Sequence, residues 1–298
     1  MKTVFSFVLD DQPKFLMQGW NLVLSLIESG TFPSPETELL LHYVRTVDPK
    51  QLHAFEALGV RLIPVLPFGF GPAVYCNKLR QLETPAVMEA DYVVLLDADI
   101  LAIADLHELC RGDAVRAKVV DFAVPPEAIW RPLLSEAGFP RDIPVTAPSF
   151  APNERTPAVN CNGGLYVLPH KAVIALREVW PRWAEFCLER KISMGRWAHH
   201  ADQIGFAMAM LETELPFAPL ELKDNFPTCL EPAAYAHLPQ TTLRTMHYHA
   251  QVDSEGLPIP PKGLPSDLDW LGSQILEARR RIAERRQTPL ALVKSQAP

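Results

Sequence analysis

The sequence predicts an α/β protein with a mostly parallel central sheet. Its 298 residues are 48% hydrophobic and 21% charged, which is typical of a globular chain long enough to bury a large core. Apolar runs of strand length alternate with helical stretches, as in proteins built from βαβ units. Acidic residues directly follow several of these runs. Ligands of such sheets bind outside the carboxyl ends of the strands, so these acids are the first candidates for a site.

The elements can be assigned in order along the chain. The first strand is predicted over residues 3–9, where Val and Phe dominate, and it ends at Asp10 and Asp11. A helix is predicted from about Lys14 to Glu28. Later strands are predicted over residues 38–47, 60–66, 92–96, 119–124 and 165–168, and long ordered loops over the Pro-rich stretches 125–157 and 216–265.

The chain is predicted to divide into an α/β domain over residues 1–261 and a basic tail over residues 262–298. An amphipathic helix is predicted in this tail by its apolar residues and five arginines, namely Trp270, Leu271, Ile275 and Ile282 with Arg279, Arg280, Arg281, Arg285 and Arg286. The helix can pack on the domain with its arginines in solvent. The alternative is peripheral contact with anionic lipid or a partner.

Composition narrows the function classes. The net charge of −7 argues against a nucleic-acid partner. The five cysteines are odd in number and widely spread, which indicates reduced thiols and a cytoplasmic protein. The apolar start is too short for a signal peptide, and no run approaches the ~18 apolar residues of a transmembrane helix. No G-x-G-x-x-G motif follows a strand, which disfavours a dinucleotide-binding oxidoreductase.

Asp97 and Asp99 follow the predicted strand 92–96 and carry the clearest chemical signal. On an extended chain two residues one apart point to the same face, so both carboxylates are expected on one side. Two hard oxygen donors at a strand end suit a divalent cation that also holds a diphosphate, such as Mn²⁺ or Mg²⁺. A solvated turn is the alternative.

The segment Leu95-Leu96-Asp97-Ala98-Asp99-Ile100-Leu101 resembles the Asp-x-Asp motif of nucleotide-sugar-dependent glycosyltransferases with the GT-A fold. It is most similar to glycosyltransferase family 8, the glycogenin and galactosyltransferase-like group. The resemblance implies a Rossmann-like GT-A domain and sugar transfer from a nucleoside-diphosphate sugar. It also implies a metal site of Asp97, Asp99 and a late histidine.

Two further blocks follow in that family's order. Asn162, Gly163 and Gly164 resemble its Asn-(Ser/Ala)-Gly block, which implies donor-sugar contact; a glycine pair also permits close approach of backbone to ligand. Asp202 and Gln203 resemble its Asp-Gln block, which implies that Asp202 binds sugar hydroxyls and Gln203 lies beside the anomeric carbon. A tight turn and a helix N-terminal acid are the respective structural alternatives.

The last block is Met246-His247-Tyr248-His249. His247 matches the family's late metal-binding histidine, and alternation along a strand turns His249 toward the same face, where it is a candidate donor contact. The family's following Gly and Lys-Pro-Trp are missing, which indicates a divergent bacterial member. Lys78 is the candidate replacement for the lysine that contacts the donor phosphates.

The resemblance implies a retaining transferase acting on a carbohydrate, lipid-linked or other hydroxyl acceptor, with a UDP-sugar favoured as donor and a GDP-sugar as the alternative. Asp10 or Asp11 is expected to contact the nucleoside. An inverting enzyme would need a carboxylate base, for which Glu154, Glu221 and Asp224 are candidates. The non-enzyme alternative is a catalytically silent GT-A module that binds sugar nucleotide or a partner.

Overall fold

The computed structural model describes residues 1–69, 73–236 and 238–287. Strands and helices alternate along the chain, as the sequence predicts. In chain order the elements are β1 (Thr3–Leu9), α1 (Pro13–Glu28), β2 (Thr37–Val44), α2 (His53–Ala57), β3 (Arg61–Val65), β4 (Tyr92–Leu96), β5 (Ile100–Ala102), β6 (Arg116–Val119), α3 (Glu127–Glu136), β7 (Val145–Thr146), β8 (Thr156–Pro157), β9 (Cys161–Pro169), α4 (His170–Glu189), α5 (Lys191–Met194), α6 (Ala201–Thr213), β10 (Phe226–Pro227), α7 (Pro232–Tyr235), β11 (Thr245–His247) and α8 (Asp269–Gln287).

The central sheet has six strands in the order β3-β2-β1-β4-β9-β6. The pairs β3-β2, β2-β1 and β1-β4 are parallel, whereas β9 runs antiparallel to both β4 and β6. Most residues of β1, β4 and β9 are buried, because helices cover both faces of the sheet. The prediction of an α/β fold with a mostly parallel sheet is confirmed.

The first βα unit shows how closely local signals set the element boundaries. Pro13 occupies the first turn of α1, where its fixed φ suits the helix and its missing N–H costs no hydrogen bond. The helix ends at Glu28, and Gly30 follows with φ of +78°, a left-handed conformation in which glycine is favoured. The predicted helix therefore differs from the observed one by a single residue.

Two predictions are wrong in the region from β6 to β8. The strand predicted over 119–124 instead spans Arg116–Val119, so that Asp121 lies beyond its end. The stretch 125–157 is not one long loop, since it contains α3, β7 and β8. Helix α3 forms because Trp130, Leu133 and Leu134 bury one face of it.

A second, three-stranded sheet brings a late part of the chain to the centre of the molecule. Its order is β10-β11-β5, with β11 antiparallel to β5 and His247 paired with Ile100. The backbone N–H of Tyr248 also donates to the carbonyl of Asp99 over 3.1 Å. This pairing places β11 beside the segment that follows β4.

Helix α8 packs against the rest of the chain. Its apolar residues Leu271, Ile275 and Ile282 are buried in the same core cluster as β1 and α1. Its five arginines find partners within the chain: Arg279 pairs with Asp253, Arg280 and Arg281 with Glu277, Arg285 with Glu28, and Arg286 donates to Asn21. The predicted lipid or partner contact stays a prediction. Among the described helices, none is long and apolar enough to cross a membrane.

Candidate active site

A cleft of about 760 Å³ opens at the carboxyl ends of the parallel strands. Acidic residues just beyond three strand ends line it: Asp10 after β1, Asp97 and Asp99 after β4, and Asp121 after β6. Its volume lies within the range that small-molecule sites occupy. The position agrees with the rule that open α/β sheets bind ligands at this edge.

Asp97 and Asp99 do not lie on an extended strand. Strand β4 ends at Leu96, and the N–H of Ile100 donates to the carbonyl of Asp97 over 3.2 Å, which closes a turn. The expectation that strand alternation aligns the two carboxylates is therefore wrong. The turn gives each carboxylate its own set of partners.

Asp99 faces two histidines from the late part of the chain. One carboxylate oxygen lies 3.3 Å from Nε2 of His247 and the other 3.5 Å from Nδ1 of His249. One ligand atom from each of the three residues lies within 4.8 Å of the others, an arrangement that could hold a metal ion. The sequence predicted that all three residues lie in this site. It predicted that His249 reaches the site by alternation along a strand, and this explanation is wrong.

His249 reaches Asp99 through a turn, because β11 ends at His247. Its φ is +49°, a left-handed conformation that is uncommon for a residue other than glycine. The side chain of Gln18 donates to the His249 carbonyl over 2.6 Å and holds this turn. The ring of His249 consequently stacks on that of His247, with 3.9 Å between ring centroids.

Asp97 faces a lysine instead. The Lys78 ammonium lies 2.6 Å from Oδ1 of Asp97 and also donates to the Gly163 carbonyl. The Lys78 side chain is only 3% exposed, so its charge is compensated chiefly by Asp97. Its predicted contact with donor phosphates stays a prediction.

Gly163 and Gly164 make room for functional side chains. A Cβ on Gly164 would lie 2.7 Å from Nδ1 of His247, closer than real contacts allow. A Cβ on Gly163 would lie 3.0 Å from Nζ of Lys78 and 3.3 Å from Nε2 of Gln203. The two glycines were predicted to let a ligand approach the backbone. In the structure the space beside them is occupied by the side chains of His247 and Lys78.

Asn162 is held in the cleft by a polar network that the sequence only partly reveals. Its amide donates to Asp121 over 3.1 Å, and its oxygen accepts from Asn225 over 3.1 Å. Asp121 in turn pairs with Lys118, which is fully buried. Asp121 was missed because it fell inside the predicted strand 119–124. The rule used for Asp97, an acid just past a strand end, applies to it once the strand is placed correctly.

Asp202 and Gln203 lie in the first turn of α6 and both line the cleft. Helix α6 is fixed there by Trp180, whose indole N–H donates to the Asp202 carbonyl over 2.7 Å. Asp202 is 2% exposed, and its Oδ1 has no hydrogen-bond partner among the described residues. Burial raises the pKa of Asp202 to about 6. Such an oxygen suits a ligand hydroxyl that would satisfy it.

The remaining candidates divide between the cleft and the outside. Asp10 and Asp11 follow β1, and only Asp10 lines the cleft. The backbone N–H of Asp11 donates to the Asp10 carboxylate. The three candidate bases also lie outside that lining. Glu154 accepts from the Ala123 N–H, Glu221 pairs with Lys223, and Asp224 pairs with Arg244.

Comparison with known proteins gives a result at the level of structure. No protein-family model matches the chain, and no curated protein matches its sequence. Solved glycosyltransferase structures do match. The galactosyltransferase LgtC, in complex with donor and acceptor sugar analogues, is 15% identical with a TM-score of 0.59 over 96% of this chain and 97% of its own. The chain has the GT-A glycosyltransferase fold.

Two other neighbours support the same conclusion. Mouse xyloside xylosyltransferase 1 is 15% identical with a TM-score of 0.53, over 84% of this chain and 98% of its own. The glycosyltransferase GlyE of Streptococcus pneumoniae is 13% identical with a TM-score of 0.58, over 99% of this chain and 63% of its own. The fold that the Asp-x-Asp resemblance implied is therefore confirmed.

Proposed function

We propose that this protein is a metal-dependent glycosyltransferase that moves a sugar from a nucleoside-diphosphate sugar to an acceptor hydroxyl. The observation that carries the proposal is the convergence of Asp99 and His247, far apart in the sequence, in the lining of a strand-end cleft. The fold, which solved glycosyltransferases share, supports it.

The donor set fits a divalent ion. Asp99 offers carboxylate oxygens and His247 an imidazole nitrogen, and both groups face the cleft. Such an ion, when bound, would neutralise the charge of a diphosphate leaving group. The small sheet holds the two ligands together through the pairing of β11 with β5, so their separation is set before any ligand arrives.

The other polar groups of the cleft are suited to the sugar. Asn162 is fixed by Asp121, and its oxygen accepts from Gly164 and Asn225, so its second amide N–H can donate to a hydroxyl. Asp202 presents its unsatisfied buried oxygen. Gln203, which lines the same cleft, is polar but not basic, and we assign it to the anomeric carbon. One LgtC structure carries an active-site glutamine replaced by glutamate, so a glutamine serves that neighbour's site.

Retention of the anomeric configuration is the favoured outcome. An inverting reaction needs a carboxylate that takes the acceptor proton. The three carboxylates that the sequence offered for this task are engaged elsewhere, with the Ala123 N–H, Lys223 and Arg244. The proposed donor is a UDP-sugar, with a GDP-sugar as the alternative. The proposed acceptor is a carbohydrate, lipid-linked or other hydroxyl, and the proposed compartment is the cytoplasm.

The proposal is tested by donor binding and turnover. Thermal-shift screening against UDP-, GDP- and dTDP-sugars with Mn²⁺ should show stabilisation by one class, with slow hydrolysis of that donor. Asp99→Ala should abolish the Mn²⁺-dependent binding, while His53→Ala, which removes an exposed histidine of α2, should leave it unchanged. Undiminished binding by Asp99→Ala would refute the metal site. Binding without any hydrolysis or transfer would favour the silent module.

Gln203→Ala separates chemistry from recognition. Because Gln203 is assigned to the reacting carbon, we expect kcat to fall by about 10²-fold or more while donor affinity changes little. Steady-state kinetics together with calorimetric donor binding measures both quantities. Equal losses in kcat and affinity would make Gln203 a binding residue.

A further inference from the structure

We infer that the metal ligands of this chain are Asp99, His247 and His249, and that Asp97 is withheld from the ion by Lys78. The site therefore selects a first-row transition ion such as Mn²⁺ over Mg²⁺. This inference rests on the proposed function, because it specifies the ion that the donor-binding site uses. It differs from the arrangement that the Asp-x-Asp motif implies, in which both aspartates bind the metal.

The three residues bring one ligand atom each to within 4.8 Å of the others. Ligand atoms about 2.0–2.2 Å from one ion lie roughly 3.0–3.5 Å from each other. One oxygen of Asp99 lies 3.3 Å from His247 Nε2, and its other oxygen lies 3.5 Å from His249 Nδ1. Both imidazoles thus present a ring nitrogen to the same carboxylate. Little movement is needed for all three residues to contact one cation.

Asp97 is committed to a different partner. Its Oδ1 lies 2.6 Å from the Lys78 ammonium, which is anchored in turn by the Gly163 carbonyl. Moving Asp97 onto the ion would leave that ammonium, with its 3% exposed side chain, without its nearest anion. A buried ammonium is strongly disfavoured when it loses its closest anion. The lysine therefore opposes metal binding by Asp97.

His249 is held in place at an energetic cost, as expected for a functional group. A non-glycine residue with φ of +49° occupies a sparsely populated region. The Gln18 amide, 2.6 Å from the His249 carbonyl, maintains this turn. The ring stacks on His247 although 46% of the His249 side chain is exposed to solvent. The turn thus aims an accessible imidazole at Asp99.

The donor set determines which ion is preferred. Two imidazoles and one carboxylate suit borderline transition ions, whereas Mg²⁺ prefers oxygen ligands and retains water. Replacing a carboxylate by an imidazole also removes one negative charge from the site. Both effects weaken the binding of Mg²⁺ more than the binding of Mn²⁺.

The test measures Mn²⁺ binding to the full chain without nucleotide, so that transferase activity is not the readout. Titration followed by EPR gives the affinity, and pulsed EPR counts the nitrogen couplings to Mn²⁺. We expect two imidazole nitrogens in the wild type and one in His249→Ala, with affinity lowered at least about tenfold. His249→Asn, which tolerates the left-handed turn, should behave likewise. Asp97→Asn should keep both nitrogens and an affinity within about threefold, as should the exposed-histidine control His53→Ala.

Three results would overturn the inference. The first is a loss of Mn²⁺ affinity in Asp97→Asn at least as large as the loss in His249→Ala. The second is an unchanged number of coupled nitrogens in His249→Ala. The third is displacement of bound Mn²⁺ by an equal concentration of Mg²⁺. The proposed function fails separately. In that case Mn²⁺ binds with two nitrogens, but no nucleoside-diphosphate sugar binds or is turned over.

Discussion

Asp97 and Asp99 stand two positions apart on one turn, and their surroundings differ completely. Asp97 faces a buried ammonium, whereas Asp99 faces two imidazoles. Burial opposes ionisation of Asp99, but the imidazole of His247, with that of His249, holds its pKa below the usual range. Within this short motif one acid thus completes a structural ion pair and the other is free to serve as a ligand.

The same division recurs on the neighbouring strand. Gly163 and Gly164 are adjacent in β9, yet the first contacts Lys78 and the second contacts His247. The N–H of Asp97 donates to the Gly164 carbonyl over 3.0 Å, which joins the turn to the strand. Consecutive residues of a strand face opposite sides of the sheet, so Gly163 makes room for Lys78 on one face and Gly164 makes room for His247 on the other. Each half can be perturbed without directly touching the other.

Lys78→Met perturbs the Asp97 half and should have the largest effect on stability. The substitution leaves the carboxylates of Asp97 and Asp202 without their shared cation, and Asp202 is buried. We expect the free energy of unfolding to fall by about 3–5 kcal/mol, measured by urea denaturation.

The double variant Lys78→Met/Asp97→Asn provides the control. With the Asp97 charge removed, part of the lost stability should return, and the double-mutant cycle gives the coupling between the two side chains. A strictly additive cycle would show that the pair contributes no interaction energy.

Gly164→Ala perturbs the Asp99 half, with Gly163→Ala as its matched control. The new Cβ would meet the buried His247 ring at 2.7 Å, so the imidazole must leave its present position beside Asp99. We expect a stability loss of about 1–3 kcal/mol and Mn²⁺ affinity lowered at least about tenfold. The Gly163 Cβ meets the ends of flexible side chains at 3.0 Å and 3.3 Å, and should leave Mn²⁺ affinity nearly unchanged. Equal losses in both variants would show that the halves are coupled.

The fold could be predicted from the sequence wherever local signals act alone. Strand β4 is predicted at its exact bounds because a continuous apolar run ends at Asp97. Helix α1 is defined by Pro13 at its start and Gly30 beyond its end. Strand β6 was displaced because the apolar run continues past Val119, whereas its pairing with β9 ends there. Pairing is a tertiary property that the run does not encode.

The site could be predicted at the level of which residues converge, but not of which partner each one takes. Asp99 and His247 follow from motif order, and the structure joins them through β11 and β5. Lys78 lies in a 3₁₀ helix over Ala73–Glu83, and nothing in the sequence of that helix signals that Lys78 pairs with Asp97. The left-handed turn at His249 depends on Gln18, from the other end of the chain.

Asp202 adjoins the Asp97 half of the motif, because Lys78 and Asp97 both act on its pKa, and it supplies the smallest effect. Burial is the dominant cause, and the pKa of Asp202 stands at about 6 against 3.8 when exposed. Tyr166 and Cys76 also face it, but both stay neutral because burial raises their own pKa values. A raised carboxyl pKa means that the folded state binds the proton more tightly. The contribution of Asp202 to stability is therefore most favourable below pH 4 and declines as pH rises to about 6.

Asp202→Asn should remove this loss of stability between about pH 4 and pH 6. The loss is measured at each pH as the unfolding free energy of the wild type minus that of the variant. The pKa difference sets a ceiling of about 3 kcal/mol on the change. The backbone N–H of Gln203 also lowers the pKa of Asp202 by stabilising its anion, and it would stabilise a neutral amide oxygen less. We therefore expect the variant to be about 1 kcal/mol more stable than the wild type at pH 7. The two should be equal near pH 4, because Asp202 is then protonated. A wild type that is more stable than the variant at pH 7, and that loses this advantage as the pH falls below about 4, would contradict the prediction. It would mean that Lys78 stabilises the Asp202 anion more than burial opposes it, and that the lysine belongs to Asp202 rather than to Asp97.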